Sequence, residues 1–334
     1  MDGAEDFDSI RSTVESFLLG GQREFTRQDV AEQAGVTSEN SRRLWGALGF
    51  PANSDGAAEF TESDIAVVRY FRDLSVLNES GPQAVALAAA ARTLGQTMAR
   101  LAEWQADLVA LEIISRAGDE IGSPDRVREA AESTVTAFEE LQRYVWRRHL
   151  AAALSRTFDG MTGEDHTRPL AVGFADMVGY TRLTRHLHPS ELTMLLEAFE
   201  STTAAAITEN GGWVVKHVGD EVMFAAESAR DAGRIAVEIQ ESTMMVGGTP
   251  ELRVAFAYGP VLQRFGDLYG SVVNAASRLT GVARPGTVLI DDAAADELAG
   301  DPEFTLRGLR SVRVRGFDRL RPHVLEPRTL PRDL

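Results

Sequence analysis

Through residues 1–158 apolar positions recur at helical spacing, and the residues between them are those of helix ends. Thr26 followed by Asp29 predicts a capping box, with Val30, Ala31 and Ala34 on the buried face of the helix it starts. Ala34–Thr37 predicts a turn and Ser38–Leu48 a second helix. Thr61 and Asp64 repeat the capping pattern. Gly81-Pro82 breaks the run, an alanine-rich helix follows to about Leu111, and Gly122–Asp125 opens a long helix to about Phe158. The polar stretch Asp159–Pro169 predicts an exposed linker.

Beyond Pro169 the period changes. Leu170–Ala175 is a continuous apolar run and predicts a strand. Pro189–Asn210 predicts a helix with Leu192, Leu195, Leu196 and Phe199 inward, closed by Gly211-Gly212. Trp213–Val218 and Glu221–Ala226 predict strands around a turn at Gly219-Asp220. Helices over Ala229–Met245 and Ser271–Ala283 are predicted, with strands at Leu252–Tyr258 and Thr287–Ile290 and short strands in Ser311–Phe317 and His323–Pro327. Strands and helices mix without regular alternation, which predicts an α+β sheet with helices on one face. The predicted layout is an all-helical domain over 1–158, a linker over 159–169 and a second domain over 170–330. Within the first, residues 22–75 resemble a helix-turn-helix of the MerR type and about 125–158 form a long linker helix.

Composition narrows the function classes. The 334 residues are 44% hydrophobic and 25% charged, enough for two cores. Zero cysteines exclude disulfides, thiolate metal sites and cysteine nucleophiles. No apolar run reaches membrane-span length and no secretory signal is visible, so a cytoplasmic protein is expected. Of the net charge of −16, −10 falls in residues 1–150 and −6 in the rest. Both halves repel a phosphate backbone, which argues against nucleic acid as a partner. A small anion escorted by a divalent cation brings its own countercharge.

Candidate chemistry clusters after residue 170. Asp176 ends an apolar strand, and the chain then turns into a helix whose first amides lack partners. A carboxylate beside free amides suits a metal-bound polyphosphate. Asp220 lies at the hairpin turn and can approach Asp176 if their strands are neighbours. Two carboxylates with few other ligands are what Mg²⁺ accepts. Asn274 and Arg278 stand at i and i+4 on one helix face, opposite Val272, Ala275, Ala276 and Leu279. Asp267 precedes Asn274 by seven residues. Among 34 basic residues Lys216 is the only lysine, four before Asp220.

The blocks "FADMVGYT", "KHVGDEVMF" and "GDLYGSVVNAASRL" resemble, in order and spacing, the signature blocks of class III nucleotidyl cyclases, over about Pro169–Pro327. The resemblance implies a ferredoxin-like catalytic domain that converts ATP to 3′,5′-cyclic AMP and pyrophosphate. It assigns two Mg²⁺ or Mn²⁺ ions per active site to Asp176, Asp220 and the Met177 carbonyl. It assigns purine reading to Lys216 and Asp267, and ribose and transition-state contacts to Asn274 and Arg278. The turn Val178, Gly179, Tyr180 and Thr181 is expected at the triphosphate. Some members carry a basic residue where "AYGPV" places Pro260, and the resemblance passes that duty to Arg315. It further implies a homodimer, with metal-binding residues of one protomer facing the base-reading residues of its twin.

The layout also resembles soluble actinobacterial cyclases with an N-terminal helical regulatory domain, which implies regulation by protons or by a lipid. Five of six histidines (His149, His166, His186, His188, His217) lie between the long helix and the hairpin, and histidine titrates near neutrality. Two other readings stay open at this point. "VGDEVMF" is partly similar to the hairpin of diguanylate cyclases. The first half, in which the recognition helix would offer only Arg42 and Arg43, could belong to a DNA-binding regulator with a nucleotide-sensing domain.

Overall fold

The computed structural model describes residues 2–50, 56–73, 82–117, 123–160, 167–245, 250–264, 266–314 and 316–328. The chain divides into two units, Met1–Arg156 and Thr157–Leu334.

The first unit is helical: α1 (Asp2–Leu18), α2 (Arg27–Ala34), α3 (Ser38–Leu48), α4 (Glu62–Asp73), α5 (Pro82–Ala117) and α6 (Pro124–Gly160). The predicted capping box is present. The Thr26 hydroxyl accepts from the Asp29 amide at 3.2 Å, and the Asp29 carboxylate accepts from the Thr26 amide at 2.8 Å. At the other end of α2, Arg69 donates to the Gln33 carbonyl at 3.0 Å and Arg72 to the Ala34 carbonyl at 2.6 Å. Two cations of α4 are thus engaged with helix-end carbonyls. Val30, Ala34, Leu44, Trp45, Ile65 and Val68 form the core of this three-helix module. A Cβ at Gly95 would overlap the Leu48 carbonyl, so α5 passes against the last turn of α3. The α5 and α6 helices run antiparallel, with the Gln142 amide donating to Gln105 at 3.0 Å. Ile113, Val127, Ala130 and Ala131 join them, with Ile10, Val14 and Phe17 of α1 packed alongside. A mostly apolar cavity of about 610 Å³ lies among α1, α5 and α6, lined by Val14, Ala106, Val109, Ile113 and Phe138. Among the described residues no helix is long and apolar enough to cross a membrane.

The second unit is built on a sheet. Its elements are β1 (Thr167–Met177), α7 (Tyr180–Leu183), α8 (Pro189–Glu209), β2 (Trp213–Val218), β3 (Glu221–Ala226), α9 (Ala229–Met245), β4 (Leu252–Arg264), β5 (Asp267–Tyr269) and α10 (Ser271–Val282). There follow β6 (Thr287–Ile290), α11 (Asp292–Glu297), β7 (Phe304–Gly308), β8 (Val312–Val314), β9 (Phe317–Leu320) and β10 (His323–Pro327). The strand order is β2-β3-β1-β4-β6-β10-β7, with β5 on β4, and β8 pairs with β9 in a second, two-stranded sheet. The β4–β6 pair is parallel, and the other pairs are antiparallel.

Successive residues of β1 alternate between two cores. Ala171, Ala175 and Met177 pack with Phe199 and Ile207 of α8 and with Ile235 and Ile239 of α9. Leu170, Val172 and Phe174 pack with Val272, Ala276 and Leu279 of α10. The expectation of helices on one face is therefore corrected: α8 and α9 cover one face and α10 the other. The physical reason is visible in the unbroken apolar run of β1, since a strand with one wet face alternates. Gly173 faces the α8–α9 side, where the Phe224 ring fills the space a Cβ would take. The β1 strand also reaches back through Pro169 to Thr167, residues read above as linker. Pro169 is paired with Pro260. Neither proline serves a further strand, because pairing to β3 begins at Ala171 and pairing to β6 ends at Phe256.

Candidate active site

The chemistry gathers where β1, β3 and β4 end together. In register, Asp176 lies between Glu221 of β3 and Arg253 of β4. All three share the α10 side of the sheet by strand parity. The hairpin between β2 and β3 turns at Gly219, whose φ of 64° is the left-handed conformation glycine tolerates. That turn presents Asp220, and the Met177 amide donates to the Asp220 carbonyl at 3.1 Å. The predicted approach of Asp176 and Asp220 is therefore present, and the two charges interact.

The chain leaves β1 through a tight turn. The Val178 amide donates to the Glu251 carbonyl at 2.8 Å, and Gly179 takes φ 75°. Then α7 makes a single turn, with Arg182 and Leu183 amides bonded back to the Gly179 carbonyl at 3.0 Å. Among the described residues the amides of Gly179, Tyr180 and Thr181 have no backbone acceptor. The Tyr180 side chain packs against the α8–α9 core, so this residue can offer its amide rather than its ring.

Lys216 follows an irregularity in β2, where the register with β3 shifts between Val214 and Lys216. Such a bulge re-aims the side chain beyond it. The Lys216 Nζ meets Asp267 Oδ2 at 2.6 Å, and Asp267 Oδ1 accepts from the Leu268 amide at 2.9 Å. Two residues 51 positions apart are thus joined as a pair. Next, α10 begins at Gly270 and lies close on β4, a Cβ at Gly259 falling 3.2 Å from Val272 Cγ2. Its outer face presents Asn274 and Arg278, both exposed, opposite buried Ala275, Ala276 and Leu279. Among the described residues neither side chain has a hydrogen-bond or ion-pair partner. Arg315 lies outside the described residues, as does His166.

Electrostatics set this end of the sheet apart. Burial pushes the Asp176 carboxyl above the ordinary aspartate range, the Asp220 charge adds to the rise, and Arg253 opposes it. Burial also raises Glu221, as do Asp176 and Asp220, against Lys216. The acids therefore crowd one another with too little positive charge beside them. Two carboxylates, one at the end of β1 and one on the β2–β3 turn, with a backbone carbonyl nearby form a hard oxygen donor set, which fits a divalent cation. Among the described residues no group of three or more His, Cys, Asp or Glu could cage a metal alone. Mg²⁺ keeps several waters and substrate phosphates, so a partial set suits it. The sequence reading missed Glu221 and Arg253. The signal was parity: Glu221 begins the strand after the turn, and Arg253 lies one residue into its strand, facing as Ala255 does.

Residues 164–327 match the family model of the adenylate and guanylate cyclase catalytic domain. An adenylate cyclase of Streptomyces coelicolor is 41% identical over 293 residues, covering 87% of this chain and 76% of that protein. An adenylate cyclase of Glutamicibacter nicotianae is 35% identical, covering 95% of this chain and 83% of that protein. Among solved structures, the catalytic core of a rhodopsin-guanylyl cyclase with converted specificity, in complex with ATPalphaS, aligns with 49% of this chain and 97% of its own, with a TM-score of 0.46 and 21% identity. Those two relatives match across both units of the chain, and the family model falls on the unit that brings the acids together. The chain belongs to the class III adenylate and guanylate cyclase family.

Proposed function

We propose that the chain is an adenylate cyclase, converting ATP to 3′,5′-cyclic AMP and pyrophosphate in two sites of a symmetric homodimer. The observation that carries this reading is the Lys216–Asp267 pair at 2.6 Å. Adenine offers N1 as acceptor and its 6-amino group as donor. An ammonium can donate to the first while a carboxylate accepts from the second. Guanine reverses that edge and would leave both groups facing like partners.

Asp176, Asp220 and the Met177 carbonyl would hold Mg²⁺ or Mn²⁺, two ions per site. Bound there, the cations would supply Lewis-acid activation of the 3′-hydroxyl and countercharge for the triphosphate. The 3′-oxygen forms a bond to the α-phosphorus as the bond from phosphorus to the pyrophosphate oxygen breaks, and the hydroxyl proton passes to water. Arg278 donates to the α-phosphoryl oxygens as their charge grows, and Asn274 orients the ribose. Free amides at Gly179–Thr181, with Val178 and Arg315, would flank the triphosphate. Lys216 and Asp220 share a hairpin but would serve different sites, so each site takes residues from both protomers. The N-terminal unit would act as regulator. Its apolar cavity suits the acyl chain of a lipid, and protonation of the histidines near the junction is the other candidate signal.

The test is purified protein with ATP or GTP and Mn²⁺ or Mg²⁺. Cyclic AMP from ATP, lost in Asp220→Ala, supports the reading, and cyclic di-GMP or no turnover removes it. Asp220→Ala mixed with Arg278→Ala restores one intact site per mixed dimer. Inactivity of that mixture at every ratio would sink the shared-site arrangement.

A further inference from the structure

Beside the turn that ends β1 stands an unspent cation. The Arg182 amide donates to the Gly179 carbonyl at 3.0 Å. Side chains in a helical turn lean toward its N-terminus, over the residues three and four earlier. Arg182 does so: its Nη2 lies 4.0 Å from where a Cβ on Gly179 would stand. Among the described residues nothing else beyond the adjoining chain comes within 4 Å of that point, so the guanidinium borders open space. It is exposed and has no hydrogen-bond or ion-pair partner among the described residues. Arg168, Arg230 and Arg234 of the same unit, by contrast, are tied to Glu227, Asp301 and Glu303. Nor is the Arg182 charge spent on the acids of the site. The charges that shift Asp176 are those of Asp220 and Arg253, and those that shift Glu221 are Asp176, Asp220 and Lys216. Glu251, whose carbonyl accepts from the Val178 amide, turns its carboxylate toward Gly286 instead.

We propose that Arg182 is a further phosphate-binding residue, closing on the β- and γ-phosphates of the nucleotide from the protomer whose acids would hold the cations. The assignment rests on the cyclase reading above and adds a residue to it. Arg278 would take the α-phosphoryl group from the other chain, which leaves the outer two phosphates for a cation at this turn. A guanidinium forks onto two oxygens of a phosphate and keeps its charge at any working pH. Glycine at 179 leaves the space in which the two would meet.

The test is calorimetric titration of the full chain with inorganic pyrophosphate and Mn²⁺, which does not depend on turnover. Arg182→Gln should weaken binding about tenfold to 100-fold, the scale of one charged hydrogen-bonded contact, with the thermal melt unchanged. Arg182→Lys should recover part of that, since an ammonium keeps the attraction and loses the fork. Arg185→Gln removes the same charge from the same segment, where the side chain is also exposed and unpartnered among the described residues. It should change the affinity less than about twofold, because solvent and salt screen a charge that makes no contact. In cyclase assays the Arg182→Gln loss should fall on KM for ATP, while affinity for cyclic AMP, which lacks the outer phosphates, stays as in wild type. Equal pyrophosphate affinity in Arg182→Gln and wild type overturns the assignment and leaves the cyclase reading standing. An equal loss in Arg182→Gln and Arg185→Gln does the same, since it marks a diffuse field. A wild-type chain that binds no pyrophosphate also overturns the assignment. Weaker pyrophosphate binding by Arg182→Gln in a protein that makes no cyclic AMP keeps the phosphate contact and removes the cyclase reading.

Discussion

Replacing Lys216 by methionine separates what the Lys216–Asp267 pair does for the fold from what it would do for substrate. The two side chains are 44% and 29% exposed, so solvent screens them and the pair is worth ~0.2–1 kcal/mol of stability. In a unit of this size that is a fall in Tm of at most about 4 °C. Methionine keeps the stem that lies along the strand and removes only the charge. Catalysis should respond on a different scale. A polar edge of adenine left without its donor in a closed pocket costs ~1–3 kcal/mol, or about 5- to 150-fold in kcat/KM for ATP. Turnover of GTP gains nothing and loses little, so the ATP preference collapses by the same factor. Asp267→Ala should give a similar loss, and the double variant less than the sum, because one partner without the other is already useless. The assay is initial rate against ATP and GTP with a thermal melt on each variant. A Tm drop well beyond 4 °C with the nucleotide preference intact would show that the pair is a strut, and base reading by it would have to be abandoned.

Three further outcomes follow from packing and charge. Gly173→Ala pushes a methyl into the fully buried Phe224 ring and should cost about 1–3 kcal/mol, seen as a lower denaturation midpoint at unchanged slope; Phe224→Leu in the same chain should return part of it, and no rescue means the clash is not the cause. Gly95→Ala meets the Leu48 backbone, which cannot rotate away, so limited proteolysis between α3 and α5 should accelerate; an unchanged digestion pattern refutes the close approach. The pKa of Asp176 is raised above its ordinary 3.8, so its contribution to stability is present below that value and is lost as pH rises through the raised one. Metal-free Asp176→Asn should therefore melt higher than wild type at neutral pH, with a flatter gain on acidification, while cyclase activity disappears; a lower Tm contradicts the crowding. Asp301 and Glu303, held below their usual range by hydrogen bonds from Arg230 and Arg234, titrate with the opposite sign in both proteins and cancel in that comparison.

Local signals carried most of the elements. Thr26 and Asp29 close the capping box they predict, and β2, β3 and α9 begin and end where the apolar runs and turns put them. These features depend on contacts within a few residues. What escaped depends on tertiary partners. The three-residue β5 exists because β4 folds back on it, and α11 rests on the Asp291 carboxylate accepting from the Ala294 amide. Neither is long enough to show a period. Pro169 closes the predicted linker, yet it lies within β1, which tolerates it because pairing to β3 begins only at Ala171. The motif spacing singles out Asp176, Asp220, Lys216 and Asp267, and the structure brings the first acid to the second and the lysine to Asp267, whereas Glu221 and Arg253 are defined by cross-strand register. A sequence states register only after the neighbouring strand is known.

Register also accounts for the solitary lysine. Asp267 spends one oxygen on the Leu268 amide and offers the other to Lys216. A guanidinium gains most by engaging both oxygens of a carboxylate in parallel, although Arg230 also takes a single oxygen of Asp301, whose other oxygen accepts from the Glu303 amide. An ammonium takes one oxygen and keeps two hydrogens for another acceptor. It can therefore hold the carboxylate in place and still have a donor left for a base edge, and Asp267 retains lone pairs for an amino group. Arginine elsewhere in the chain answers several needs: Arg69 and Arg72 reach across to carbonyls, Arg234 forks onto Glu303, and Arg230 takes one oxygen of Asp301. At position 216 a compact point charge keeps donors to spare beside a carboxylate whose other oxygen already accepts from the Leu268 amide.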